Sequence, residues 1–212
     1  MWSSCSPPDA VERGRVLRQG HRATGEGLAV SELASRGQLR WSFVRWAAVG
    51  VPFVLLLGFV SGRSVPAGSD NAWYVALDKP DLNPPDWAFP VAWGIIYLCM
   101  GLAVATVLNA RRARGRWPAV ALFAVLLALL TAWQPLFFGA HKVRAATVLI
   151  AAIEVAGIVT TVAFARVRRG AAWLLVPLLM WVGFAGVLCW RIGQLNPDAE
   201  RLAPGGRTTQ ML

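Results

Sequence analysis

Five long apolar segments, almost free of charged residues, constrain this chain more than any other feature. Each is close to the ~20 residues that an α-helix needs to cross the hydrocarbon core of a bilayer. Because lipid offers no hydrogen bonds to an exposed backbone, such segments span a membrane as helices. The predicted spans are residues 42–60, 87–109, 117–138, 143–165 and 171–192. The sequence therefore predicts an all-α integral membrane protein, a bundle of five transmembrane helices.

The net charge of +10 lies mainly in short polar runs between these spans. In a soluble protein such an excess would indicate nucleic acid, but cytoplasmic loops of membrane proteins also collect Lys and Arg. The basic runs before residue 41, at residues 111–116 and at residues 166–169 share one side of a five-helix topology. This predicts a multi-pass protein of a bacterial cell membrane, with a cytoplasmic N-terminus and no nucleic-acid partner.

The composition divides the chain into three parts. Residues 1–40 are basic and polar, which predicts a disordered extension. Residues 41–196 contain the membrane domain, and residues 197–212 are predicted to be a short disordered tail. The first loop, residues 61–86, is long for a compact bundle, and long ordered loops are usually functional.

This first loop is rich in proline and leads into the second span. Pro80, Pro84, Pro85 and Pro90 fix φ and lack a backbone donor, so one continuous helix is excluded here. Five aromatic rings lie in the loop and just beyond it: Trp73, Tyr74, Trp87, Phe89 and Trp93. A stiff loop that carries these rings predicts a lid over a flat, apolar ligand.

Four motifs occur in order along the chain. The pattern WYxxLxKPxxxPPxW comprises Trp73, Tyr74, Leu77, Lys79, Pro80, Pro84, Pro85 and Trp87. The pattern WxxxYxxMG comprises Trp93, Tyr97, Met100 and Gly101, and WxPLFFG comprises Trp133, Pro135, Leu136, Phe137, Phe138 and Gly139. The fifth span contains Leu174, Leu175, Pro177, Leu179 and Trp181, then Phe184, Ala185 and Leu188. With these motifs the chain resembles the TspO/MBR family of tryptophan-rich sensory and translocator proteins over about residues 43–196.

The resemblance implies a five-helix bundle, commonly a homodimer, that binds porphyrins such as protoporphyrin IX and haem. It also implies a sterol-like lipid as a further ligand class, and a sensory or tetrapyrrole-regulatory role. Trp93 and Trp133 are the rings expected to stack on such a ligand, although membrane-boundary anchoring is the alternative for any Trp. The expected ligand-binding residues are Tyr74, Pro84, Trp93, Tyr97, Trp133, Phe137, Trp181 and Ala185.

Three positions depart from the family pattern in the direction of lower polarity. Leu130 and Cys189 replace Asn residues, and Leu178 replaces a Tyr. A buried amide orients a ligand through a hydrogen bond worth about 0.5–1.5 kcal/mol. Altered ligand selectivity is therefore expected.

The sequence does not favour an enzyme, because it contains no nucleophile elbow, phosphate loop or carboxylate pair. No cofactor is required, and His21 and His141 are not expected to ligate haem. Light-dependent porphyrin degradation, with Trp93 or Trp133 supplying electrons, remains an alternative. A structural membrane protein that binds ligand incidentally is another.

Two alternatives are open for each of two charged residues and for one helix face. Glu154 is an acid inside a predicted span and is either protonated or paired with a basic group such as Arg191. Lys79 is either solvated or in contact with a porphyrin propionate. The alanines of the third span, spaced three or four apart, form contacts inside the bundle or a dimer face: Ala121, Ala124, Ala128 and Ala132.

Overall fold

The computed structural model describes residues 41–202. The chain divides into two units, Met1–Val44 and Arg45–Leu212. Of the first unit only residues 41–44 are described, and they are helical. The extension predicted for residues 1–40, including His21, lies outside the described residues. All contacts discussed below belong to the second unit.

The described residues of the second unit form helices and no strand. Helix α1 comprises residues 45–63. The remaining α-helices are α2 (Ala72–Val75), α3 (Ala88–Asn109), α4 (Arg116–Gln134), α5 (Val143–Val167), α6 (Arg169–Trp173) and α7 (Val176–Leu195). The described chain contains five helical stretches long and apolar enough to cross a membrane. The all-α, five-helix prediction is confirmed.

Prolines alter two of the predicted spans. Pro135 cannot donate to the carbonyl of Thr131, so α4 ends at Gln134 and Pro135–Gly139 form a π-helical turn. The hydroxyl of Ser61 donates to the freed Thr131 carbonyl at 3.3 Å. Pro177 has the same effect on the fifth span, which is divided into α6 and α7 by a turn instead of running as one helix.

Glycines allow the helices to approach closely. A Cβ on Gly101 of α3 would lie 2.6 Å from the Cα of Val51 on α1. A Cβ on Gly58 of α1 would lie 2.2 Å from the ring of Tyr97 on α3. Since lipid removes the hydrophobic drive between helices, this close packing stabilises the bundle.

The buried side chains form two clusters. The bundle core joins the long helices around Met100, Leu126, Ile153 and Leu178. The loop core lies under the first loop and consists of Trp73, Tyr74, Leu77, Phe137, Val143, Ala146, Cys189, Ile192 and Ala199. The alanine stripe of α4 belongs to neither cluster, because Ala121, Ala124, Ala128 and Ala132 are exposed.

Candidate ligand-binding site

Asn71 fixes the start of the first loop. Its side-chain oxygen accepts a hydrogen bond from the backbone N–H of Tyr74 at 3.0 Å and so caps α2. Its amide nitrogen donates to the carbonyls of Pro66 at 2.9 Å and Phe138 at 3.1 Å. One buried side chain thus ties the loop to the end of the α4 span. Sequence reasoning missed Asn71, although an Asn before a short helical segment is a capping signal.

Trp73 connects the loop to the C-terminal turn. Its indole Nε1 donates to the carbonyl of Ala199 at 2.8 Å, and the side chain is buried. The ring packs 4.5 Å from the ring of His141 and 5.5 Å from that of Phe137. Ala199 belongs to a 3₁₀ turn, Ala199–Arg201, in the part of the chain predicted as a disordered tail.

Asn196 makes a second connection between the C-terminus and the loop. Its side-chain oxygen accepts from the backbone N–H of Asp78 at 2.9 Å. Its amide nitrogen donates to the carbonyl of Asp78 at 2.8 Å and to that of Ile192 at 2.9 Å. The sequence offered no signal for this contact, because the two partners are 118 residues apart.

The predicted residues Tyr74 and Pro84 lie in this loop. The hydroxyl of Tyr74 donates to Asn83 Oδ1 at 3.1 Å, and its ring packs edgewise on Phe138 at 5.3 Å. The Asn83 amide nitrogen also donates to the carbonyl of Pro84 at 3.3 Å. Tyr74 is therefore buried in the loop core, while Pro84 is half-buried above it.

Lys79 is engaged by its own loop. Its ammonium donates to the carbonyls of Leu77 at 3.1 Å and Val75 at 3.3 Å. The same nitrogen lies 4.9 Å from the centroid of the Tyr74 ring, a cation–π distance. The ammonium is held at the loop, where it can exchange these contacts for an anionic group.

Trp133 contacts both cores. Its ring stacks on Phe137 with centroids 5.0 Å apart and planes 9° from parallel. Its indole Nε1 donates to the carbonyl of Ala146 on α5 at 3.2 Å. Because Trp133 packs against the bundle core and the loop core, it links the two halves of the predicted site.

The remaining predicted residues pack against the bundle core. The rings of Trp93 and Tyr97 stack with centroids 5.2 Å apart. The ring of Trp181 meets that of Phe89 at 5.7 Å, which joins the first turn of α3 to the second turn of α7. Ala185, one turn beyond Trp181, is also partly buried against this core. The four predicted residues thus pack against the same bundle core, and Trp133 packs against both this core and the loop core.

The positions that lost polar side chains are packed into apolar surroundings. Leu130 and Leu178 are buried in the bundle core. Cys189 is buried in the loop core, with its sulfur 3.2 Å from the hydroxyl oxygen of Thr147. Leu130 and Leu178 therefore offer no side-chain hydrogen bond at these two positions.

The tryptophans separate into two environments. Trp117 and Trp173 are 63% and 74% exposed and fit the membrane-boundary role. Trp93, Trp133 and Trp181 are partly buried against the core instead. The second group therefore packs inside the bundle, unlike the exposed Trp117 and Trp173.

These features define a class: an integral, multi-pass helical membrane protein with aromatic side chains packed between its helices and a folded first loop over one end. The TspO/MBR family model matches residues 48–195, and the chain belongs to that family. It is 39% identical to the tryptophan-rich protein TspO of Chlorobaculum tepidum over 71% of this chain and 95% of the relative.

Two further relatives extend the comparison. The tryptophan-rich sensory protein of Cereibacter sphaeroides is 32% identical over 72% of this chain and 99% of its own length. The human translocator protein is 35% identical over 71% of this chain and 96% of its own length. The matches span almost the full length of each relative.

Proposed function

We propose that this protein binds a porphyrin, such as protoporphyrin IX or haem, or another planar hydrophobic ligand between its helices. Its role is sensory or tetrapyrrole-regulatory. Relatives named as sensory and translocator proteins support this role, because they match almost the whole membrane domain. A binding protein of this kind requires no resident cofactor.

The observation that carries the proposal is the set of partly buried rings at the bundle core. Trp93 stacks on Tyr97, and Trp133 stacks on Phe137 with nearly parallel planes. A planar ligand that enters between these rings replaces the stacking of one ring on another with stacking of each ring on the ligand. Each ring–ligand contact contributes about 0.5–1.5 kcal/mol beyond area burial. The first loop then excludes water from one end.

Titration with protoporphyrin IX in the dark tests this proposal. Purified protein in nanodiscs is followed by porphyrin absorbance and by quenching of tryptophan fluorescence. Trp93→Ala and Trp133→Ala are each expected to weaken binding about tenfold, the factor that 1.4 kcal/mol supplies. The exposed Trp117 supplies the control, and Trp117→Ala is expected to bind like wild type. Equal affinity in all four proteins would contradict the proposal.

The stacked pair of Trp93 and Tyr97 supports a second candidate, light-dependent porphyrin degradation. A photoexcited porphyrin takes an electron from Trp93, and the porphyrin radical anion passes that electron to dioxygen, which gives superoxide as the oxidant of the macrocycle. Tyr97 reduces the Trp93 radical cation, loses its phenolic proton and is left as a tyrosyl radical. Illuminated samples are expected to lose porphyrin absorbance in wild type and not in Trp93→Phe. Tight binding without bleaching selects the sensory role. Absence of any binding indicates a structural membrane protein.

Lys79 is proposed to meet a porphyrin propionate at the loop. Since its ammonium is satisfied only by backbone carbonyls and one ring, a carboxylate offers a stronger, charge-assisted partner. Lys79→Ala is expected to weaken binding of protoporphyrin IX and leave its dimethyl ester unaffected. Lys142→Ala serves as the control. If Lys79→Ala bound protoporphyrin IX with unchanged affinity, the proposed contact between Lys79 and a propionate would be contradicted.

A further inference from the structure

A groove opens between α5 and α7, and one of its lining residues, Val143, also belongs to the loop core. Its volume is about 350 Å³, and its lining includes Arg144 and Thr147 from α5 and Trp190, Gly193 and Gln194 from α7. None of the eight predicted ligand-binding residues lines it. The groove is therefore formed by residues other than those predicted to bind a porphyrin.

Helix contacts fix how α5 and α7 align. The contacting pairs are Val143 with Gly193, Ile150 with Gly186, and Gly157 with Leu179. The helices are thus antiparallel: as the residue number increases along α5, the number of the facing residue on α7 decreases by the same amount. This register places Glu154 level with Val182.

The groove lining ends at Thr147 and Trp190, and the same side of the two helices continues beyond it to that level. Glu154 lies seven residues beyond Thr147 on α5, and Gly183 lies seven residues before Trp190 on α7. Seven residues are close to two helical turns, so each pair shares a face. A Cβ on Gly183 would have no neighbour within 4 Å, so space remains beside α7 at this depth.

Glu154 lacks a partner at this position. Its Oε2 is buried and has no hydrogen-bond partner among the described residues. The pairing with Arg191 is not made, since the register puts Arg191 nine residues away, or about 13 Å along the helices. Arg144 and Arg166 on α5 are ten and twelve residues away. An unpartnered carboxyl group inside a membrane is costly, so a polar group brought by a ligand would stabilise it.

The mouth of the groove is basic. Arg144 is exposed there, and the Arg191 guanidinium lies 5.8 Å from the centroid of the Trp190 ring. One acid is close, because Glu200 Oε1 accepts from the backbone N–H of Arg144 at 3.2 Å. The two guanidinium groups outnumber this carboxylate, which favours an anionic head group at the membrane boundary.

We propose that this groove binds a hydroxylated long-chain fatty acid, with its carboxylate at Arg144 and its mid-chain hydroxyl donating to the carboxyl group of Glu154, a half-buried residue. Arg144 and Glu154 are about 15 Å apart along α5, which is half of a ~30 Å hydrocarbon core. A single acyl chain covers this depth. An ordinary acyl chain satisfies Arg144 and leaves Glu154 without a donor, so the mid-chain hydroxyl confers selectivity. The site is independent of the proposed porphyrin site.

Binding of radiolabelled fatty acids to the full chain in nanodiscs tests the proposal. Wild type is expected to bind 12-hydroxyoctadecanoate up to about tenfold more tightly than octadecanoate, the factor one net hydrogen bond supplies. Glu154→Leu is expected to remove this preference. Gly183→Leu fills the open space and is expected to weaken the hydroxylated acid selectively. Arg144→Gln is expected to weaken both acids, whereas Arg112→Gln, an exposed position in the loop between α3 and α4, is the control.

A chemical readout accompanies the binding measurement. A hydrophobic carbodiimide is expected to modify Glu154 in wild type, and bound 12-hydroxyoctadecanoate is expected to protect it. Unchanged protoporphyrin IX affinity in each variant shows that the bundle is folded. Equal affinity of wild type for the two acids, or a preference that survives Glu154→Leu, would overturn the proposal.

Discussion

A single glycine determines where Tyr97 lies. Gly58 on α1 has no side chain, and the Tyr97 ring occupies the space that a Cβ would need. The ring is thereby held against α1 while it stacks on Trp93. Because Gly58 has no methyl group, the Tyr97 ring of the proposed site can occupy this position.

Gly58→Ala is expected to displace the Tyr97 ring. The added Cβ would lie 2.2 Å from ring atoms, and overpacking of this kind typically costs about 1–3 kcal/mol. We expect a lower thermal unfolding midpoint in detergent and weaker protoporphyrin IX binding. Gly62→Ala on the same helix is the matched control, because nothing lies within 4 Å of its added Cβ. Equal effects of the two changes would show that Gly58 has no such role.

At the scale of elements, the first loop is held by the end of the chain as well as by its own prolines. Asn196 bonds to the backbone of Asp78, and Ala199 accepts from Trp73. Asn71 provides a third attachment, to Phe138. The lid is thus fastened at several points by hydrogen bonds to elements distant in sequence.

Removing one attachment is expected to loosen the loop without unfolding the bundle. Asn196→Ala deletes two hydrogen bonds to Asp78, each worth about 0.5–1.5 kcal/mol. We expect faster amide hydrogen exchange at residues 72–78 and unchanged exchange in α4. Asp198→Ala is the control in the same segment, since its ion pair with Arg201 is exposed and contributes little. Identical exchange in both variants would contradict this role of Asn196.

For the whole molecule, the five spans of the described residues place residues 45 and 202 on opposite sides of the membrane. The basic runs predict a cytoplasmic side for residues 111–116 and an outer side for the first loop. In a background without native cysteines, Asp81→Cys is expected to react with an impermeant maleimide added to intact cells. Arg112→Cys is expected to react only after permeabilisation. The reverse pattern would show the opposite orientation.

The sequence predicts the spans well, because apolar length is a property of each segment alone. The stacking of Trp93 on Tyr97 follows from their four-residue spacing on α3, which places both rings on one helix face. Contacts such as Asn196 with Asp78 were not predictable, because they depend on loop geometry between residues far apart in sequence. The π-helical turn after Gln134 had a signal in Pro135, but its form depends on neighbours such as Ser61.

The attachment of the first loop to Asn196 and Ala199 has a consequence for biosynthesis. The partners of Trp73 and Asp78 are synthesised more than a hundred residues later. Four membrane spans must therefore be inserted, and the last turn must leave the ribosome, before the loop can adopt its final position. A nascent chain halted after α5 would present its aromatic side chains to the translocation machinery without this cover.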